Sequence, residues 1–399
     1  MLRSLHLRDF KAFADQSIPL SPMTALIGAN GAGKSTVLQA LGLFRALTSQ
    51  TVAQYLETEE WDFDDLPHLR TQSKSFEIAA RVELNGASAD WSLVLRNGKP
   101  PGIEAETVRR FAAGSLVGGT GEAILDRHGD LIERLDESSG ESEEIRLALP
   151  MSVMGSVDPE DLLSPAHPTL RALRRWADGI RPYLFLDPRK MRTSSRGATD
   201  DIGTSGDDLA SFVHHLRRNR EVGFQSLLRR VQRYYPRLSD IETSQRGPGW
   251  TTLEVRERWG ESEATFNARQ VSDGLLRLIA IAAFHELPRP PSLILLDEFE
   301  NGLHPHLVGA VVEMLQELVD SSDGRTQVVF TTHSPLTLNH IRDGSQVLVV
   351  HRRPEEGTAM VTPLDETRGF DELRNAFDLG ELWYNVGEEQ LLSPEGEDV

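Results

Sequence analysis

Residues 28–36, which read GANGAGKST, constrain the fold of this chain more than any other part of its sequence. An apolar run, Met23–Ile27, precedes them, and from Lys34 onward apolar residues recur every three or four positions, as they do in a helix. Strand, glycine-rich turn and helix therefore follow one another in the order that a phosphate-binding loop requires. A coincidental glycine turn is the alternative, and the strand and helix on either side argue against it.

We predict that this loop binds a nucleoside triphosphate. The glycines let backbone N–H groups turn toward phosphate oxygens, and the helix adds its positive N-terminus. Lys34 would reach the β- and γ-phosphates, and the Ser35 hydroxyl would ligate Mg²⁺. The predicted nucleotide-binding residues of the loop are Gly28, Ala29, Asn30, Gly31, Ala32, Gly33, Lys34, Ser35 and Thr36.

Two carboxylates follow a second apolar strand, residues 292–296. Ligands of open α/β sheets bind at the carboxyl ends of the strands, which is where Asp297 and Glu298 stand. Asp297 would help to hold Mg²⁺, and Glu298 would orient or deprotonate an attacking water. Strands often end in acidic turn residues, so the pair is specific only in combination with the phosphate loop.

Two further segments complete the pattern. His333 follows the buried strand 327–331 and could hydrogen-bond the γ-phosphate, although an ordinary turn histidine is the alternative. Ser272 and Gly274 stand at the start of a helix, where a serine and a glycine make an anion site. An ordinary N-cap by Ser272 or Asp273 is the other interpretation, and both can hold at once.

The composition limits the compartment and the partners. The chain has no cysteine, no apolar run long enough to span a bilayer and no secretory leader, so we expect a soluble, cytoplasmic protein with no membrane partner. Its net charge of −19 excludes a general nucleic-acid coat, since such binding needs a basic surface. Local basic clusters at 174–175, 189–192, 217–220 and 229–230 leave nucleic acid open as a partner, although solvated helix faces that balance nearby acids are the favoured explanation of such clusters.

The order of GANGAGKST, VSDGLLRL, LILLDEFENGLHP and TTHSP resembles the ABC-type ATPase heads of the SMC and RecF kind. More closely, the chain is similar to the branch shared by overcoming-lysogenisation-defect (OLD) nucleases and the AAA-15/AAA-21 ATPases of bacterial defence islands. The opening LRSLHLRDFKAFAD and the segment SGDDLA add to this likeness.

The resemblance implies an α/β P-loop NTPase fold, an ABC-type head built from two sequence-distant lobes around a mixed sheet, with an inserted α+β region. We predict an N-terminal lobe over 1–100, an inserted β-meander and helical region over 101–239, a C-terminal lobe over 240–352 and an acidic tail over 353–399.

In such heads two protomers sandwich two ATP molecules with Mg²⁺. The resemblance therefore implies an ATP-dependent homodimer or higher oligomer in which Ser272 and Gly274 act in trans on nucleotide held at Lys34 and Ser35. Lys34, Glu298 and His333 would be the catalytic residues of an ATPase. The signature motif of such heads has two glycines after the serine, and here Asp273 stands in place of the first. Its charge would weaken γ-phosphate binding unless the side chain points away. The glutamine loop has three candidates: Gln50, Gln54 and Gln72.

An OLD nuclease would continue after His333 into a Toprim domain, but only 66 residues follow His333 and the stretch Asp343–Val399 shows no such arrangement. We therefore expect a sensor or motor that regulates a separately encoded effector, such as a nuclease, in anti-phage defence. The alternative is a RecF-like repair or recombination ATPase that contacts DNA through the arginines between 217 and 230. A transporter ATPase is the third option, and the DEFENGLHP loop argues against it.

Overall fold

A computed structural model describes residues 1–68, 70–71, 73–84, 86–112, 121–156, 166–183, 186–197, 199–246, 249–353 and 355–392 of the chain. The chain divides into two compact units. Unit 1 comprises Met1–Ile180 and Ser345–Thr367, and unit 2 comprises Arg181–Gly344 and Arg368–Val399.

The larger sheet of unit 1 is antiparallel throughout, in the order β2-β1-β4-β5-β6-β7-β8-β9. Alternate residues of a strand face opposite sides of a sheet, and in β4 Phe76, Ile78, Ala80 and Val82 are buried in turn. Strands β4 and β5 form a hairpin, and the strands between 101 and 150 continue the same sheet. The strands are β1 (Leu2–Phe10), β2 (Phe13–Pro19), β4 (Ser75–Leu84), β5 (Ala87–Arg96), β6 (Gly102–Ala112), β7 (Glu122–His128), β8 (Leu131–Leu135) and β9 (Ser142–Arg146).

The strand before the phosphate loop, β3 (Met23–Ile27), is buried along its whole length. It lies parallel to β17 (Val347–Arg352), which pairs antiparallel with β18 (Ala359–Pro363). A continuous apolar run is what a strand covered on both faces requires.

The helix after the loop, α1 (Lys34–Leu47), is fixed to unit 1 through Phe44, whose ring centroid lies 5.0 Å from that of Trp91 and 5.7 Å from that of Trp176. Aromatic pairs at this distance add to the stabilisation that burial gives. The phosphate loop therefore joins a buried strand to an anchored helix. Among the described residues of unit 1, the other α-helices are α2 (Val52–Glu59), α3 (Val153–Ser156) and α4 (Pro168–Asp178).

Unit 2 contains an antiparallel sheet in which β13 (Trp250–Trp259) pairs with β11 (Ser195–Arg196), β12 (Leu238–Arg246) and β14 (Ser262–Asn267). It also contains a parallel pair, β15 (Leu293–Leu296) and β16 (Gln327–Thr331), while β10 (Ile180–Tyr183) begins at the border of the units. The helices of unit 2 are α5 (Pro188–Met191), α6 (Leu209–Asn219), α7 (Glu221–Tyr234), α8 (Asp273–Ala283), α9 (Pro305–Ser321), α10 (Pro335–Leu338), α11 (Phe370–Arg374) and α12 (Leu379–Leu392).

A further strand and helices follow β17 within residues 353–399, the stretch that the sequence predicts as an acidic tail. The strand β18 forms because residues 359–363 place Ala359 and Val361 on a buried face beside β17. The helix α12 then packs against α10 in unit 2: the Gly380 N–H donates to Asn339 Oδ1 at 2.8 Å. A Cβ at position 380 would lie 2.0 Å from the Pro335 carbonyl oxygen, so glycine permits this close approach.

Candidate nucleotide-binding and hydrolysis site

The phosphate loop turns sharply between β3 and α1. Gly28, Gly31 and Gly33 all have positive φ angles, of 139°, 75° and 123°, which L side chains rarely adopt. At Gly28 the constraint is also steric, because a Cβ there would lie 1.9 Å from the carbonyl oxygen of Val350 in β17. Glycine at position 28 thus lets the loop leave the sheet beside β17.

Lys34 is buried within the loop that it serves, with 6% of the residue exposed. Its ammonium donates to the carbonyl oxygens of Gly28 and Ala29 at 2.8 and 3.0 Å. These contacts hold the positive charge at the mouth of the loop and at the N-terminus of α1. Ser35 and Thr36 follow in the first turn of the same helix and are half-buried.

Several residues around the loop were not singled out from the sequence. The Arg352 Nε–H donates to the Gly31 carbonyl oxygen at 2.9 Å, so the end of β17 supports the loop. A cleft of about 430 Å³ opens beside Thr36 within unit 1. The described residues that line it are Lys11, Ala12, Thr36, Asp65, Pro67, His68, Arg70, Arg352 and Gly357.

In unit 2, Asp297 and Glu298 follow the carboxyl end of β15, and Thr331 of β16 forms hydrogen bonds with both residues. The fully buried Thr331 hydroxyl donates to Asp297 Oδ1 at 2.5 Å and accepts the Glu298 backbone N–H at 2.8 Å. Because β15 and β16 are parallel, their carboxyl ends share one edge, which brings Thr331 to the acidic pair. The hydroxyl therefore fixes the direction of the Asp297 carboxylate.

Glu298 has the left-handed backbone angle φ 44°, which is uncommon for a residue with a side chain. Its carboxylate is held on two sides: Asn301 Nδ2 donates to Oε2 at 2.5 Å, and His333 Nε2 lies 3.2 Å from Oε1. Both the Glu298 and His333 side chains are more than one third exposed, so they stay accessible to water. Backbone strain of this kind is concentrated at functional sites.

Glu300 positions the loop that carries His333. Its Oε1 atom accepts hydrogen bonds from the Thr332 hydroxyl at 2.7 Å and from the His333 backbone N–H at 2.8 Å. In the sequence, this role could have been suspected because Glu300 is a further acidic residue three positions after Asp297. Glu300 thus links the loop after β15 to the loop after β16.

Ser272 caps α8, since its hydroxyl accepts the Leu275 backbone N–H at 3.3 Å, and its side chain is exposed. Gly274 is buried against α9, and a Cβ there would lie 3.3 Å from Leu307 Cδ1. Close approach of α9 therefore favours a residue without a side chain at position 274.

Asp273 forms an ion pair with Arg192, whose Nη2 atom also donates to the Val271 carbonyl oxygen at 2.9 Å. The acid that departs from the usual signature is therefore matched by a cation from another part of unit 2. Arg192 belongs to the cluster at 189–192, and nothing in the sequence connects it to position 273.

The structure thus brings Asp297, Glu298 and His333 together in unit 2, which also contains Ser272 and Gly274. The phosphate-loop residues lie in unit 1. Of the glutamine-loop candidates, Gln54 accepts the Thr51 backbone N–H at 2.9 Å in the capping box of α2, and Gln72 lies outside the described residues.

Within the described ranges, no three His, Asp or Glu side chains gather as a metal-binding group. No helix in the described part of the chain is long and apolar enough to cross a membrane.

A buried strand, a glycine-rich loop and an anchored helix, together with an acidic pair at the end of a parallel strand, define a P-loop ATPase of the SMC, RecF and OLD type. The chain belongs to the AAA-21 family, described as "AAA domain, putative AbiEii toxin, Type IV TA system", whose match spans residues 23–339.

Relatives support this assignment. An OLD nuclease from Thermus scotoductus is 24% identical over 95% of this chain and 68% of its own length. The RecF DNA replication and repair protein of a Synechococcus species is 31% identical, but the match covers only 28% of this chain and 27% of RecF.

Solved structures show the same fold. An Smc head bound to the C-terminal winged-helix domain of ScpA matches with a TM-score of 0.52 and 15% identity over 90% of this chain and 97% of the head. An Smc head with an extended coiled coil, bound to the C-terminal domain of ScpA derived from Pyrococcus furiosus, also has a TM-score of 0.52, with 13% identity over 94% and 99% of the two chains. The predicted α/β P-loop fold and the SMC/RecF/OLD relationship are therefore confirmed.

Proposed function

We propose that this chain binds and hydrolyses ATP and uses the nucleotide to close two copies of itself. The arrangement of Glu298 carries this proposal: a strained, solvent-accessible carboxylate held between Asn301 and His333. Such a carboxylate is suited to orient a water molecule or accept its proton. Asp297 beside it is fixed by Thr331, which leaves its other oxygen for a cation.

The donor atoms fit Mg²⁺, which prefers oxygen ligands and is usually held by one or two protein groups together with substrate phosphates. The Ser35 hydroxyl and the Asp297 carboxylate would supply those protein ligands. A bound Mg²⁺ would neutralise charge that develops on the phosphates.

The chain's own residues divide the remaining work. Lys34, at the loop mouth, would neutralise the β- and γ-phosphates, while backbone N–H groups of 28–36 would hold their oxygens. Glu298 would accept the proton of the attacking water, and His333 would contact the γ-phosphate. Loss of that phosphate would remove the His333 contact, so ATP and ADP would favour different conformations.

We further propose that Ser272 and Gly274 of one protomer complete the site of the other. The serine is exposed at the N-terminus of α8, whose backbone N–H groups favour an anion. The Arg192–Asp273 pair supports this role, because it offsets the negative charge that would otherwise repel a phosphate.

Mixing two inactive variants tests action in trans. Lys34→Ala lacks the loop cation and Ser272→Arg lacks the signature serine, so each alone should be inactive. In an equal mixture, half of the dimers contain one copy of each variant, and one of the two sites in such a dimer is intact. The mixture should therefore recover about a quarter of the wild-type turnover. A mixture no more active than its components would refute the composite site.

We propose that the switch regulates a separately encoded effector, such as a nuclease, in antiviral defence. The AAA-21 family match and the OLD relative support this role. Co-purification with the product of the neighbouring gene, followed by an ATP-dependent nuclease assay, tests it. The proposal fails if the purified chain neither hydrolyses ATP nor assembles with that product.

A second candidate is direct DNA binding, as the name of the RecF relatives suggests. The structure narrows which arginines could serve it. Arg217 is paired with Asp240, and Arg230 with Glu286 and Glu317, so their charges are largely offset. These pairs weaken the predicted role of the whole 217–230 segment.

Arg218 is different, because it is exposed and makes no hydrogen bond or ion pair to any residue that the structure describes. It shares a helix face with His214 and His215 and lines a cleft of about 320 Å³. Arg218→Glu should weaken salt-dependent DNA binding, while Arg229→Glu, an equal charge change at another exposed arginine, should not. Equal effects of the two variants would exclude this cleft as the contact.

A further inference from the structure

The cleft of about 320 Å³ lies within unit 2, between one face of α6 and the ends of β11, β12 and β13. The α6 residues that line it recur three or four positions apart, the spacing that places side chains on the same side of a helix. The described residues that line the cleft are Gly197, Ser211, His214, His215, Arg218, Asn219, Gln245, Gly249 and Thr251. None of these described residues carries a carboxylate.

Contacts at the wall of the cleft keep His214 neutral. The Gln245 amide nitrogen only donates and lies 3.3 Å from His214 Nε2, so that ring nitrogen accepts. His214 Nδ1 then carries the proton and donates to the Thr243 hydroxyl at 2.8 Å. Burial, and then the charges of Arg218 and His215, lower the pKa of His214, in agreement with a neutral ring. His214 thus orders Gln245 and adds no charge to the cleft.

His215 and the amides of the cleft supply N–H donors. Asn219 Nδ2 donates to His215 Nδ1 at 3.0 Å, so the proton of the neutral ring is on Nε2. That atom lies 3.7 Å from Asp200 Oδ1, which is too far for a hydrogen bond. Asn219 and Gln245 are exposed and the His215 side chain is 30% exposed, so these groups are accessible to a ligand.

Arg218 is the lining residue with a permanent positive charge. It is exposed and forms no hydrogen bond or ion pair with any residue that the structure describes, whereas Arg217 beside it is paired with Asp240. A guanidinium is a planar fork of N–H donors that fits the oxygens of a phosphate. An unpaired cation and several N–H donors, with no carboxylate among the described lining residues, suit an anion rich in acceptor oxygens.

We propose that this cleft binds one phosphate group, and that the group is the terminal phosphate of a DNA strand. This inference rests on the second candidate function, direct DNA binding. A terminal phosphate carries a charge of about −1.5 to −2 at pH 7, whereas a phosphate inside a strand carries a single negative charge. Arg218 therefore attracts the end of a strand more strongly than its interior.

The surface beside the cleft also favours the end of a strand over its length. Binding along a backbone needs a row of unpaired cations. Arg217 and Arg230 are paired with carboxylates, and Arg220 donates to the Glu286 carbonyl oxygen at 2.6 Å. The net charge of −19 adds repulsion from the rest of the chain. The cleft can therefore compensate one phosphate rather than many.

The test measures how tightly the full chain binds internally labelled DNA single strands of one sequence, with a 5′-phosphate, a 3′-phosphate or no terminal phosphate, at a fixed salt concentration. We expect one of the phosphorylated strands to bind about tenfold more tightly than the strand without a phosphate, the effect of one charge-assisted hydrogen bond. Arg218→Gln should remove this preference. Arg229→Gln, the same change at an exposed arginine outside the cleft, should leave it unchanged.

Equal wild-type affinity for all the strands would overturn the inference, and so would a preference that persists in Arg218→Gln. Calorimetric titration with inorganic phosphate identifies the source of the group. Arg218-dependent binding of inorganic phosphate, without a preference among the strands, would assign the cleft to a free phosphate compound and refute the strand end. If the wild-type chain binds none of the strands, the DNA-binding candidate itself fails, whereas equal binding of all of them removes only the terminal-phosphate site.

Discussion

Glu298 Oε1 and His333 Nε2 lie 3.2 Å apart at the carboxyl ends of two parallel strands. The residue proposed to activate water and the residue proposed to sense the γ-phosphate therefore share one contact. Glu298→Gln should keep ATP binding but lower turnover by at least about 10²-fold, the usual contribution of a general base. Turnover and nucleotide affinity measured side by side check this, with Glu261→Gln, a change in an exposed turn, as the control.

Because the two side chains act as a unit, the double variant Glu298→Gln/His333→Ala should lose little more activity than Glu298→Gln alone. Independent, additive losses would show that the 3.2 Å contact has no part in turnover.

Thr331 should contribute to both stability and catalysis. Thr331→Val leaves the Glu298 N–H and Asp297 Oδ1 without their buried partner, which should lower the free energy of unfolding by about 1–3 kcal/mol. Thr331→Ser retains a hydroxyl and should keep most of the activity. Denaturant unfolding and steady-state turnover measure the two effects, and a fully active Thr331→Val variant would contradict the positioning role.

The Arg192–Asp273 ion pair should determine how strongly the start of α8, at Ser272 and Gly274, attracts a phosphate. Arg192→Ala leaves the Asp273 charge without its cation and should reduce ATP-dependent association of the chain roughly two- to fivefold, as expected for a partly exposed pair. Arg192→Ala/Asp273→Asn should restore it. Light scattering with and without ATP gives the measurement, and failure of the second substitution to rescue the first would show that Arg192 acts otherwise.

Substitution by alanine should be tolerated less well at Gly28 than at Gly31, although both residues have positive φ angles. Gly28→Ala places a methyl group 1.9 Å from the Val350 carbonyl oxygen, so the loop must move and ATP binding should be lost. Apart from its chain neighbours, no described residue has an atom within 4 Å of the corresponding position at Gly31, so Gly31→Ala should meet only backbone strain of about 1–2 kcal/mol. Titration with ATP distinguishes them, and equal loss in both would make the steric argument wrong.

Because of His285, the stability of unit 2 should depend on pH. Burial, and then the neighbouring positive charge of Arg230, lower the pKa of His285 to about 4, although its Nε2–H donates to the Met314 carbonyl oxygen. The unfolded chain binds this proton near pH 6.5, so stability is lost as the pH falls from about 6.5 toward 4. The free energy of unfolding should fall by an amount on the order of 2–3 kcal/mol. In His285→Gln, the midpoint of urea unfolding measured across that pH range should depend less on pH.

The sequence was sufficient for features that depend on local order. The phosphate loop, the strand that ends at Asp297 and the helix that begins after Ser272 are each specified by neighbouring residues, and the predicted fold class is confirmed. The roles of the site residues stay predictions, to be tested as described above.

Features that depend on tertiary contact were missed. Thr331 and Arg192 look unremarkable in sequence, because their importance comes from partners 34 and 81 positions away. The strand β18, which reads AMVTP, was missed because it has only five residues and lies in a stretch that the sequence predicts as an acidic tail. Asp273 was expected to weaken phosphate binding unless it points away, and only the fold shows the cation that offsets its charge.

The pairing of β3 with β17 has a consequence for how this chain is made. Strands β4 to β9 pair with their immediate neighbours, so they can form while the chain is still being synthesised. The loop at 28–36 leaves the ribosome before them, but the parallel neighbour of β3 at Val347–Val349 and the carbonyl of Val350 are synthesised only after all of them. A nascent chain should therefore be unable to hold nucleotide until residues 347–350 have emerged, which keeps shorter chains from entering ATP-dependent assemblies.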